Sequence, residues 1–165
     1  RPAVEHLRLD RGRLMASVPV RWVVIRHICE VLAGHELLGG VGVHPGFPGE
    51  LAAAGAELIW VDAPPPSDTR IPVGTGGRKI VDDTFSVPLQ IRVAGRPNLA
   101  EAGDRLDEIA GAVVEVLATD PTLDALDGVL SAEITSVAGP AIGVTPDGPL
   151  GYSRIEISVH TRIGP

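Results

Sequence analysis

The sequence predicts an α+β domain: an antiparallel four-stranded sheet with two main helices packed on one face, in the order α-β-β-α-β-β. Three observations predict it. Two stretches carry apolar residues at helical spacing. Four others read as short or alternating strands. Glycine and proline, 20 and 15 of them in 165 residues, gather between these stretches and mark turns. Residues 15–165 fit one domain of ordinary size. Residues 1–14, RPAVEHLRLDRGRL, read as an N-terminal extension or arm that need not be native.

The first helix runs from about Val20 to Ala33. Trp22, Ile25, Cys29 and Leu32 fall at i, i+3, i+7 and i+10, with Val24, Ile28 and Val31 beside them. Arg21, Arg26, His27 and Glu30 are assigned to the other side. Ser17 and Pro19 suit its entrance and Gly34 its end. The run GGVGVHPGFPGELAAAG that follows has no clear period. Glu57 to Asp62, ELIWVD, reads as a short strand that Pro64–Pro66 end. Residues 63–77, APPPSDTRIPVGTGG, read as a loop of the length usually tied to function.

The clearest strand comes next. Phe85, Val87, Leu89, Ile91 and Val93 alternate with Ser86, Pro88, Gln90 and Arg92. Pro88 lacks an N–H, which predicts an edge position or a bulge. Asn98 then caps the best helix, with Glu101 three residues on as in a capping box. Leu99, Ala102, Leu106, Ile109, Ala110, Val113, Val116 and Leu117 form its stripe, through about Ala118. Asp120-Pro121-Thr122-Leu123 makes a short turn. Val129–Ala138 and Tyr152–Ile163 alternate as the last two strands. GPAIGVTPDGPLG between them reads as too rich in proline and glycine for a tight hairpin.

Composition narrows the function. Hydrophobic residues make up 44%, enough for a core, and aromatics only 3%, so aliphatic side chains must fill it. The net charge of −7 repels nucleic acid on average. One cysteine excludes an intramolecular disulfide framework and a multi-cysteine zinc site. No apolar run approaches the roughly 20 residues of a membrane span. No secretory signal is visible, so a reducing cytosolic setting is expected.

The candidate chemistry is thin. Val73 to Asp83, VGTGGRKIVDD, looks like a phosphate cradle, but Ile80 stands where a P-loop needs Ser or Thr, and a strand follows instead of a helix. Its glycines read as a flexible interface loop. His27 and Cys29 point to different faces of one helix. His35 and His44 flank glycines without metal-ligand spacing. His160 alternates outward with Arg154, Glu156, Ser158 and Arg162. That face is either solvated or a subunit interface with complementary ion pairs. No catalytic set, metal or cofactor is expected.

The element pattern resembles the tail terminator proteins of long-tailed bacteriophages. The matching residues are Asp83 through Val93, the helix Leu99–Ala118, the turn Asp120–Leu123, and the strands Val129–Ala138 and Tyr152–Ile163. The resemblance spans about Val20 to Ile163. It implies a non-enzymatic virion protein of the tail–neck region, assembled in the host cytoplasm. Copies would form a homohexameric ring that caps the tail tube, ends its polymerisation and meets the head-side connector, with DNA passing through the lumen. On that basis Pro66, Arg70, Gly76, Arg78, Lys79, Arg154, Glu156 and Arg162 are candidate contacts to a neighbouring subunit or the tube, as is the segment 139–151. Asp62, Asp82 and Asp83 are candidate lumen charges. Two alternatives stay open. One is a head-completion or stopper protein of the same particle. The other is a small enzyme or ligand-binding domain using His35, His44 and the glycine-rich loops, with a closed pocket lined by those histidines or by Lys79 and Asp82.

Overall fold

The computed structural model describes residues 18–49, 56–62, 68–70 and 81–163. It shows an α+β architecture with two helices on one face of a single sheet. Helix α1 is Val18–Ala33 and is followed by a 3-10 turn at Glu36–Leu38. Strands β1 (Gly42–His44), β2 (Leu58–Val61), β3 (Asp68–Arg70) and β4 (Val81–Ala94) come next. Helix α2 is Leu99–Thr119, and strands β5 (Val129–Thr145) and β6 (Gly148–Ile163) close the chain. The strands lie in the order β1-β2-β4-β6-β5, with β3 pairing on β4 beside β2.

This corrects the expected four-stranded antiparallel sheet. β1 pairs β2 in parallel, so the sheet is mixed. Three-residue strands such as β1 and β3 are too short to show a period of two. β3 lies inside the stretch read as a loop, 63–77; residues 63–67 and 71–77 of that stretch are outside the described residues.

α2 forms as its sequence dictates. Asn98 Oδ1 accepts from Glu101 N at 2.9 Å, and Asn98 Nδ2 donates to Glu101 Oε1 at 2.7 Å. Its stripe is buried from Ala102 to Leu117 apart from the partly buried Ala110, whereas Leu99 is exposed. One apolar cluster fills the space between helices and sheet. It takes Val24, Ile28 and Leu32 from α1, Leu106, Ile109 and Val113 from α2, Phe85, Val87, Leu89, Ile91 and Val93 from β4, and Ile155, Ile157 and Val159 from β6.

On α1 the buried face differs from the expected one. Trp22 is 50% exposed. Arg21, assigned to the solvent side, instead reaches Asp83 at 2.9 Å and lies over the Phe85 ring at 5.2 Å. Arg21, Ile25, Ile28 and Leu32 fall at i, i+4, i+7 and i+11, so the arginine stands in line with the buried stripe.

β4 is central, flanked by β6 along its whole length and by β3 and β2 on its other side. Pro88 nevertheless fits there. Its carbonyl accepts from Asp62 N at 2.8 Å, so its missing N–H also faces the β2–β3 side. That position lies between Thr84, the last partner of β3, and Leu89, the first partner of β2. The one bond forgone is the reciprocal one to Asp62 O, just past the end of β2.

The last hairpin is longer than expected. β5 and β6 stay paired through GPAIGVTPDGPLG to Thr145↔Gly148, where Pro146 and Asp147 make the turn and Gly148 takes φ +112°. Proline followed by aspartate and glycine is strong turn chemistry. A register shift between Ala138 and Ala141 absorbs Gly139 and Pro140, whose peptide bond is cis.

Candidate interface surfaces

The outer face of the sheet, opposite the helices, carries the even-numbered residues of β4 and β6. Arg154 Nε donates to Glu156 Oε1 at 2.7 Å, and Ser86 Oγ donates to Glu156 Oε2 at 2.6 Å. Arg162 forks onto Asp82, with Nε to Oδ1 at 2.8 Å and an NH2 contact to Oδ2 at 3.2 Å. The hydrogen bonds and charge of Arg162 hold the exposed Asp82 carboxyl below its ordinary range and push the Arg162 guanidinium up. The Arg154, Glu156 and Arg162 expected at an interface therefore already have partners within the sheet.

The expected lumen charges separate. Asp82 is exposed. Asp62 is partly buried at the end of β2, with Gln90 Nε2 at 3.4 Å. Asp83 is 3% exposed and held by Arg21, so it is a structural ion-pair partner and not a surface charge. Arg70 Cα pairs with Asp82 across β3 and β4. Pro66, Gly76, Arg78 and Lys79 lie outside the described residues.

At the opposite end of the sheet, Glu57 holds two arginines. Arg105 approaches bidentately, Nε to Oε2 at 3.0 Å and NH2 to Oε2 at 2.9 Å, with Nε also 3.2 Å from Oε1, and Arg96 contacts Oε1. Burial pushes the Glu57 carboxyl up, but hydrogen bonds from Arg105 and Arg96, with their charges, outweigh it and hold the group below its ordinary range. Beside this network is an open cleft of about 540 Å³, lined by Gly40, Gly42, Glu57, Gly95 and Arg96 among others. Neither His35 nor His44 lines it, so the residues offered for a ligand site are not gathered there. Among the described residues no group of three or more His, Cys, Asp and Glu could hold a metal ion. No helix among them is long and apolar enough to cross a membrane.

The surface that the sequence reading undervalued is β5. Ala132 N donates to Pro121 O at 2.7 Å, so the turn after α2 covers the start of its outer edge. From Thr135 to Val144 every residue is exposed. Val137, Ile142 and Val144 are 52%, 38% and 72% exposed. No charged residue occurs between Glu133 and Asp147. That uncharged run was the available signal, since edge strands are normally guarded by charge.

No protein-family model matches the chain, and no curated protein matches it. Among solved structures, a chain from one described as "Virion of native gene transfer agent (GTA) particle" aligns with it. The alignment covers 86% of this chain and 95% of that one, at 15% sequence identity and a TM-score of 0.44. A likeness that distant carries no conclusion about this chain.

Proposed function

We propose that the chain is a structural virion protein, a phage tail terminator. Its copies form a ring that caps the tail tube, stops polymerisation and joins the tail to the head-side connector, with DNA passing through the lumen. The observation that carries this reading is the β5–β6 hairpin. Ten consecutive exposed residues on an uncharged, partly apolar edge strand are a liability for a chain that works alone and an asset for one that works in contact. The resemblance of the sequence pattern to tail terminators supports the same reading, as does the central strand from Asp83 to Val93.

Polymerising tail-tube protein with and without this chain tests it. Electron microscopy should show tubes that stop growing and carry a ring at one end. A variant with Val137→Glu and Val144→Glu should fold and leave tubes growing. If tube length is indifferent to the wild-type chain, the terminator role fails. Binding to the connector but not to the tube would indicate a stopper.

A further inference from the structure

Among the described residues two surfaces are left uncovered, on opposite flanks of the helix layer. The first belongs to α1, which packs on the β1 side of the sheet. Trp22, Arg26 and Glu30 are exposed at four-residue spacing and line one stripe of the helix, with the exposed Val23, three residues before Arg26, beside it. Arg26 has no ion-pair partner among the described residues.

The second is the flank where α2 meets the β5 edge. Ile142 packs on α2 at Gly103, where an added Cβ would lie 2.9 Å from Ile142 Cδ1. Val114 and Ile134 are only partly buried, and Val137 is more than half exposed. Asp107 is one helical turn beyond Gly103 on this flank. It and Asp104 are exposed and without an ion-pair partner among the described residues.

We infer that α1 of one copy docks head to tail on the α2–β5 flank of the next. Trp22 and Val23 cover Val137, and Arg26 meets Asp107. The inference rests on the ring reading and names the surfaces that build the ring. The occupant is a second copy because the cationic Arg26 beside Trp22 and Val23 matches the acidic Asp104 and Asp107 of the other patch, a match that does not include Glu30, and one chain carries both patches. Such a contact joins unlike patches, so each added copy leaves a fresh patch at either end. It closes into a ring where the rotation permits. Pairing β5 with β5 would instead stop at two copies and leave Trp22 in water. Pro140 and the register shift beside it also interrupt such a ladder.

Single-cysteine probes test this. Trp22→Cys and Val137→Cys are prepared separately, mixed and oxidised mildly. Cys29 can stay, because it is buried and its thiol is pushed up to about 11 by burial and the nearby Glu30 charge. The mixture should give a covalent dimer, and the double variant a ladder of linked chains. Arg26→Glu should abolish the product, and adding Asp107→Arg should restore it. Cross-linking of Val137→Cys with itself alone would overturn the inference in favour of edge-to-edge pairing. A wild-type ring by light scattering without the mixed product would overturn it and leave the terminator reading standing. The ladder without tube capping would do the reverse. Absence of both ring and product would overturn the inference.

Discussion

Replacing Glu57 by alanine tests how the sheet end, the α2 flank and the Gly95–Arg96 turn are held together. Glu57 is largely buried and is shared by Arg105 and Arg96. Arg105 is also mostly buried and contacts Glu57 bidentately. Truncation leaves its charge poorly solvated, with Glu108 on the surface side as its remaining partner at 2.7 Å. Breaking a fully buried pair costs about 3–5 kcal/mol; hydrogen bonds to charged groups contribute about 1.5–3 kcal/mol. Arg96 is over a third exposed and is discounted for solvent screening. The expected loss is therefore about 2–3 kcal/mol, or a Tm lower by roughly 4–12 °C for a chain of this size. Urea unfolding followed by circular dichroism measures it. The pH dependence fixes the cause. The folded Glu57 carboxyl titrates below its unfolded value, so its contribution is present above the ordinary value of 4.5 and is lost as pH falls through the folded one. Wild type and Glu57→Gln should converge in that acidic window. A loss below 0.5 kcal/mol at neutral pH, or a difference that stays constant through it, would refute the reasoning.

Three further outcomes follow from single residues. Ile157→Ala, at a fully buried site in β6 opposite Val87 and Ile134, should cost about 3–4 kcal/mol in chemical unfolding by leaving a cavity. Gly111→Ala should stabilise the chain by roughly 0.5–1 kcal/mol, because Gly111 is exposed in the middle of α2 and an added Cβ meets nothing within 4 Å. Cys29 in the folded protein should react with a thiol reagent far more slowly than in urea at pH 8, since burial pushes its pKa to about 11; equal rates would contradict that placement.

The elements legible in the sequence were those whose local signals agree. α2 has a cap, a capping-box partner and five turns of consistent periodicity, and β4 has a strict alternation. α1 was legible as a helix, but its face was not. An apolar Trp22 competes in pattern with Arg21, and only the tertiary position of Asp83 on β4 decides that the arginine turns inward. β1 and β3 are three residues each, so their pairing with β2 and β4 comes from the sheet and not from local period. The β5–β6 hairpin was hidden by reading Gly139, Pro140 and the Pro146–Gly148 turn as one loop. The first two sit in a bulge, and Pro146 and Asp147 make a two-residue turn before Gly148 opens β6. The candidate interface charges were visible as residue types, but their pairing within the chain depends on register: Asp82 opposite Arg162, and Ser86 near Glu156. The apolar rim of β5 was visible only as an absence of charge, which carries meaning once the strand is known to be an edge.

The central claim is that this chain forms the ring that ends a tail tube. Imaging the assembled particle with the chain labelled tests that most directly. One six-fold layer of the chain should lie between the tail tube and the head-side connector, with α1 of each copy against α2 and β5 of its neighbour. A label found in another layer, or absent from the head–tail junction, would contradict it.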